Sequence, residues 1–206
     1  MKTAISFVRH GEVYNPDDIF YGRLPGFGLS GKGQYQAVQA AEALNDSRLA
    51  AVFTSPLLRA RQTAGEFVKS NPHLSLRISS LLSEAATPFD GQPAREVDRL
   101  HGDVYAGSDD QFEQPLDIVN RIQKFIRRTR RQYAGQQIAA VTHGDVIAFA
   151  VLWAHHQPLV PKQKSRLMQF GITDGYPAHA SLTTFIFKTT LDDEIPAMAH
   201  MRPYTR

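Results

Sequence analysis

The sequence predicts an α/β fold: a single three-layer domain with a mostly parallel central sheet and helices on both faces. Three observations lead there. Short β-branched runs alternate with amphipathic stretches of 13 to 18 residues, the order expected of βαβ units. No repeat, Gly/Ser linker or break in composition divides residues 1 to 206. Hydrophobic residues make up 42% and charged residues 21%, enough apolar material for a core and too little charge for disorder.

The elements follow in order. Residues 3 to 8, TAISFV, are a short apolar, β-branched run and predict a buried strand. A loop rich in Gly, Pro, Asn and Asp runs from Gly11 to about Gly31. Over residues 32 to 46, Tyr35, Val38, Ala41, Ala37 and Leu44 share one helical face. Residues 51 to 53, AVF, predict a second strand. Ser55 and Pro56 then predict a helix start, Ser as N-cap and Pro at the first helical position. Leu57, Ala60, Ala64, Phe67 and Val68 form the apolar side of that helix.

Residues 74 to 82 hold a third strand, and residues 94 to 114 are polar without clear periodicity. From Leu116 to Tyr133, the positions Val119, Ile122, Ile126, Thr129 and Tyr133 step by three and four, an amphipathic helix. Residues 138 to 141 predict a strand and 146 to 153 an apolar helix. Residues 155 to 180 contain three prolines and predict a long connection. Strands close the chain at 181 to 187 and 196 to 202.

Composition narrows the function classes. The chain has no cysteine, which excludes a disulfide framework, a thiol nucleophile and thiolate metal sites. The N-terminal apolar run is broken by Arg9 and His10, and no stretch approaches the ~18 apolar residues of a membrane span. A cytoplasmic protein with no membrane partner is expected. The formal net charge of +3 is local. Arg121, Lys124, Arg127, Arg128, Arg130 and Arg131 are six of the 23 basic residues, and the other 17 face 20 acids. Those six invite a nucleic-acid reading. No base-stacking aromatic interleaves with them, so a solvated helix face and no nucleic-acid partner are expected.

Ligands bind at the carboxyl ends of strands in such sheets. Two strands end alike: the first runs into Arg9-His10-Gly11-Glu12, the strand at 138 to 141 into Thr142-His143-Gly144-Asp145. The second runs into Thr54-Ser55-Pro56 and a helix carrying Arg59. Two histidines and two arginines thus converge on one sheet edge. Clustered arginines need an anionic partner, and their planar forks suit phosphate oxygens. The alternative for Arg9 and Arg59 is an internal ion pair with Glu12 or Glu66, and for His143 a helix cap. A metal site at His155, His156 and Asp145 matches no trusted ligand spacing, and no metal is expected.

Five blocks in order resemble the histidine phosphatase superfamily, in its phosphoglycerate-mutase-like branch. They are Arg9-His-Gly-Glu12, Gly22-Arg23 with Leu29-Ser30-x-x-Gly33-x-x-Gln36-Ala37, Ser55-Pro-Leu-Leu-Arg-Ala-Arg-Gln-Thr-Ala64, Leu82-x-Glu84 and Thr142-His-Gly144. The resemblance covers residues 3 to about 190. It implies a metal-independent phosphomonoester hydrolase without a cofactor. His10 would be the nucleophile that forms a phosphohistidine. Arg9, Arg59 and His143 would bind the phosphoryl oxygens, and Glu84 would be general acid and base, with Asp90 as the alternative acid.

The resemblance further implies phosphate or substrate contacts from Asn15, Tyr21, Gly22 and the Gly144 N–H, with Thr142 adding another. A turn-forming role for Asn15 is the alternative. Glu12 would orient its neighbours, and His179 enters the strand at 181 where relatives place a residue near the active site. Glu84 is followed by Ala-Ala-Thr-Pro instead of the mutase's Arg-His-Tyr-Gly, which favours a phosphatase. A phosphoglycerate-type phosphomutase and a non-catalytic phosphate-binding module are the alternatives. The partner implied is a small-molecule phosphate ester, with a homodimer common among similar proteins. Tyr14, Phe20, Tyr21, Phe27, Phe89 and Tyr176 are the candidate pocket aromatics.

Overall fold

The computed structural model describes residues 2–45, 48–107, 109 and 111–205. Six strands form one sheet: β1 (Thr3–Arg9), β2 (Leu49–Thr54), β3 (Leu76–Ile78), β4 (Gln137–Thr142), β5 (Leu182–Phe187) and β6 (Ala197–Met201). Their spatial order is β3-β2-β4-β1-β5-β6. The pairings β3–β2, β2–β4 and β4–β1 are parallel, and β5 and β6 add an antiparallel edge. All six expected strands are present. The run at 74 to 82 is shorter than expected, because a 3₁₀ turn over Ser80–Leu82 ends it.

Five α-helices flank the sheet: α1 (Gly31–Ala43), α2 (Leu58–Ser70), α3 (Ala94–Arg99), α4 (Pro115–Gln132) and α5 (Gly144–Ala154). Alternation along β1 and β4 sends side chains to opposite layers. Phe7 and Ala140 pack with Ile118, Ile122, Phe125 and Phe149 of α4 and α5. Val8, Ala139 and Val141 pack with Ala40, Ala41, Ala60, Ala64 and Phe67 of α1 and α2. Burying Phe67 alone is worth about 2 kcal/mol. Among the described residues, no helix is long and apolar enough to cross a membrane.

Several helices differ from the sequence expectation. On α1, Tyr35 and Val38 are exposed, while Gly33, Gln36, Ala37, Ala40 and Ala41 are buried. Small side chains bring this helix close to the backbone of Gly11 and Glu12, where a Cβ on Gly33 would collide. Ser30 caps α1 by accepting the Gly33 N–H, and the expected end at residue 46 lies outside the described residues. Helix α2 starts at Leu58 with Leu57 as cap, not at Ser55 and Pro56; the Ser55 hydroxyl accepts the Leu57 N–H at 3.4 Å and also bonds His143 at 2.8 Å. The polar stretch after residue 93 holds the short α3. The connection 155–180 contains a 3₁₀ segment over Pro161–Phe170, closed by Gly171 at φ 86°.

The basic face of α4 is more structural than its pattern suggests. Arg130 is 2% exposed; its guanidinium covers the Phe187 ring at 4.0 Å and pairs with Glu194 at 2.6 Å. Arg131 pairs with Asp192, and Arg121 with Glu113.

Candidate active site

The parallel register sets the site. Arg9 of β1 lies opposite Thr142 of β4, and the His10 N–H donates to the Thr142 carbonyl at 3.0 Å. The next residues, His10 and His143, therefore leave adjacent strands side by side, with ring centroids 5.2 Å apart. A cavity of about 510 Å³ opens at His10; His143 and Arg59 are not among its lining residues. Arg9, His10, Gly22, Glu84 and Gly144 line it.

His10 is 1% exposed, and its Nδ1 lies 2.8 Å from the Gly11 carbonyl oxygen. Only a protonated Nδ1 satisfies that acceptor, so Nε2 carries the lone pair. Burial, followed by the charge of Arg59, holds the His10 pKa well below 6.5, so the ring is neutral at pH 7. His143 is also buried and neutral, by burial and then Arg59. Its Nδ1 accepts from an Arg59 amine at 3.2 Å and lies 3.5 Å from Glu84 Oε2. Its Nε2 lies 2.8 Å from Ser55 Oγ. A hydroxyl both donates and accepts, so Ser55 serves either tautomer of His143.

Arg59 is fully buried on the first turn of α2. One amine donates to the Gly22 carbonyl at 2.7 Å; Nε and the other amine have no partner. Its guanidinium lies over the Tyr21 ring at 4.7 Å, and Tyr21 stacks on Phe27. Gly22 sits at φ 32°, and a Cβ there would strike the Asp90 carboxylate. Arg9 donates to the Pro177 carbonyl at 2.8 Å, while its Nε is buried and unpartnered. Buried, unsatisfied guanidinium N–H groups are costly and mark the place of an anion. Glu12 and Glu66 pair instead with Lys32 and Lys69, so neither forms the internal ion pair considered for these arginines.

Burial raises the Glu84 carboxyl above its usual range, opposed next by Arg59. Glu84 lines the cavity; Asp90 does not, and its carboxylate accepts the Arg23 N–H. Asn15 lines the cavity while its amide folds back onto the Ile19 backbone, so the turn role is present. Thr142 donates to the Leu82 carbonyl at 2.7 Å and does not line the cavity. Glu12 accepts from Ser30 and pairs with Lys32, which fixes the start of α1. Phe20, Tyr21 and Tyr176 reach the cavity, whereas Tyr14 is exposed and Phe89 packs against the core.

Two features carry little signal in the sequence. His179, which has no motif, lies 5.7 Å from the His10 ring, and burial pushes its pKa down to about 3. Asp145 accepts the Tyr105 and Tyr176 hydroxyls at 2.7 and 2.6 Å and pairs with Lys164 at 3.0 Å. It therefore does not join His155, which stacks on Phe170. Gly144 lets Tyr176 approach the start of α5, since a Cβ there would meet the phenol.

A family model described as histidine phosphatase superfamily (branch 1) matches residues 5–174. An uncharacterized protein of Mycobacterium tuberculosis is 36% identical over 149 residues, 69% of this chain and 73% of the relative. A 2,3-bisphosphoglycerate-dependent phosphoglycerate mutase of Pseudoalteromonas atlantica is 30% identical over 126 residues, 54% and 55% of the two chains. Among solved structures, a mycobacterial glucosyl-3-phosphoglycerate phosphatase is similar, with a TM-score of 0.78 at 20% identity over 98% of this chain and 99% of that one. An Entamoeba histolytica phosphoserine phosphatase gives a TM-score of 0.72 at 19% identity, covering 95% and 94%. The family match spans the two strand-end histidines, both arginines and Glu84, and the chain belongs to the histidine phosphatase superfamily, branch 1.

Proposed function

We propose that the protein is a phosphomonoesterase that works through a phosphohistidine on His10. One observation carries the reading: a neutral imidazole with its Nε2 lone pair free lies beside two partly unpartnered arginines, Arg59 buried and Arg9 half-buried. In the first step, Nε2 of His10 attacks phosphorus and the P–O bond to the alcohol breaks. Glu84, whose carboxyl pKa burial raises, gives its proton to the departing oxygen. Arg9 and Arg59 stabilise charge on the equatorial oxygens. When the Arg59 amine turns to the phosphoryl group, His143 Nδ1 is free to donate to it, with Ser55 donating to Nε2.

In the second step Glu84, now ionised, takes a proton from water, the hydroxide attacks phosphorus and the P–N bond breaks. Orthophosphate leaves and His10 is neutral again. The two guanidinium groups supply the positive field, so the reaction requires no metal and no cofactor.

Hydrolysis is favoured over mutase chemistry by the loop after Glu84. Ala85, Ala86, Thr87 and Pro88 bring no cation that would retain a phosphorylated intermediate for return transfer. The mutase relative keeps the transfer reading in view. The test is hydrolysis of p-nitrophenyl phosphate in excess EDTA by wild type and by His10→Ala. Activity that survives EDTA and disappears in the variant is expected. Interconversion of phosphoglycerates outpacing phosphate release would assign the mutase reaction instead.

A further inference from the structure

Beyond its phosphate end, the cavity continues between the loop at 15–22 and the segment at 94–104. Ile19, Phe20, Ala85, Ala94, Val97 and Val104 wall this outer part. Such side chains have nothing to bind in a bare phosphate, which sits at the His10 and Arg9 end. They suit the carbon body of a leaving group.

Charge in the cavity is one-sided. Asp98 and Asp145 line it beside Glu84, which holds its proton when the ester binds, and among the described residues its cations, apart from the histidines, are Arg9 and Lys164. Arg9 belongs to the phosphate end. Lys164 is fully engaged: Nζ lies 3.0 Å from both Asp145 oxygens and 3.1 Å from the Gly102 carbonyl. Three acceptors use the three N–H bonds of an ammonium. Turning Lys164 toward a ligand would remove the cation from Asp145, a buried carboxylate, which is strongly unfavourable. Arg23 and Arg121 stand near the Glu84 loop, but both point to Glu113 and the Glu84 carbonyl.

We infer that this outer compartment is a leaving-group subsite for an uncharged alcohol with an apolar body, and that it discriminates against leaving groups carrying a carboxylate or a second phosphate. An anionic leaving group would lose water and meet Asp98 with no free cation among the described lining residues to offset it. The inference rests on the phosphomonoesterase reading for its chemistry. Its selectivity belongs to the pocket and is readable by binding alone.

The experiment compares phenyl phosphate with 3-phosphoglycerate in two ways. Wild-type kcat/KM is measured for each ester, and dissociation constants for both are measured by calorimetry on His10→Ala. Phenyl phosphate is expected to be preferred by about tenfold or more in both assays, the scale of one uncompensated like-charge contact. Asp98→Lys places a free ammonium on the wall and is expected to narrow that ratio about fivefold by improving 3-phosphoglycerate. Ala94→Lys does the same from the start of α3 if the first variant fails to fold.

Equal or better binding and turnover of 3-phosphoglycerate by wild type overturns the subsite while leaving the phosphatase reading intact. So does an unmoved ratio in the folded lysine variants, or failure of both esters to bind at millimolar concentration. Hydrolysis that persists in His10→Ala overturns the phosphohistidine reading instead, and the binding ratio still judges the subsite.

Discussion

Glu113 organises the backbone on both sides of Glu84 without touching its carboxylate. Glu113 Oε2 accepts the Ala86 N–H at 3.0 Å, and its two oxygens pair with Arg23 at 2.6 Å and Arg121 at 2.7 Å. Both arginines donate to the Glu84 carbonyl, at 2.7 and 3.3 Å, and Arg121 also holds the Leu81 carbonyl at 2.8 Å. A single carboxylate thus fixes the entry and exit of the loop that carries the proposed acid. In this arrangement Glu113 is a positioning residue.

Glu113→Gln is therefore expected to lower kcat/KM for an alkyl phosphate by about tenfold or more, and for p-nitrophenyl phosphate far less. An alkoxide needs protonation to depart; p-nitrophenolate hardly does. Because kcat/KM reads only through P–O cleavage, steady-state kinetics on the two esters check the assignment. Equal losses on both would mean a general defect in the fold.

Ser55→Ala leaves the buried Nε2 of His143 without its partner. The expected cost is about 1–3 kcal/mol of stability, together with about a tenfold fall in kcat. Chemical denaturation and turnover of p-nitrophenyl phosphate check the two effects. Ser55→Thr keeps the hydroxyl and is expected to recover part of both.

Stability is expected to fall as pH drops below about 6.5. His10, His143 and His179 all have folded pKa values lowered, in each case first by burial. A lowered folded pKa means that the unfolded chain takes up protons first, so stability present above 6.5 is lost as the pH falls. For His179 the loss continues down to its folded value of about 3. Urea melts at pH 7 and pH 5 measure the slope, and His179→Gln is expected to reduce it by roughly 2 kcal/mol over that interval.

Arg130→Ala removes cover from Phe187 and one of the donors to Glu194, which keeps the Lys188 and Thr189 N–H groups, so a destabilisation of about 2 kcal/mol is expected. Arg130→Met keeps apolar cover over Phe187 and leaves Glu194 on its Lys188 and Thr189 donors, so it is expected to regain most of the loss. Catalysis should be unaffected by either change. Thermal melts and p-nitrophenyl phosphate turnover check both statements.

Much of this molecule was legible before its structure. Strand-end His10 and His143, the apolar stripe of α4 and the six strands all follow from local pattern, because one face of each element meets one layer. Other features depend on partners distant in sequence. Ser55 beside Pro56 reads as a helix cap; its hydroxyl does take the Leu57 N–H, but its shorter bond is to His143, far away in sequence. Arg130 reads as a solvated charge until Glu194 and Phe187 are folded against it. Tyr35 and Val38 fit a helical stripe, yet the closer approach of Gly33 and the alanines wins. Glu113 and His179 lie in stretches with no motif and take their places only through tertiary contacts.

The pairing of Arg9 with Thr142 makes the site a gauge of strand register. A slip of one residue between β1 and β4 would carry one imidazole a strand step past the other and turn it to the opposite layer. The two strands are far apart in sequence, so their alignment must close a long loop against its entropy. During refolding, local helices on this chain can form early, but the site proposed for phosphate has to wait for that closure. Recovery of anion binding would then time the moment when the two halves of the chain first agree on their alignment.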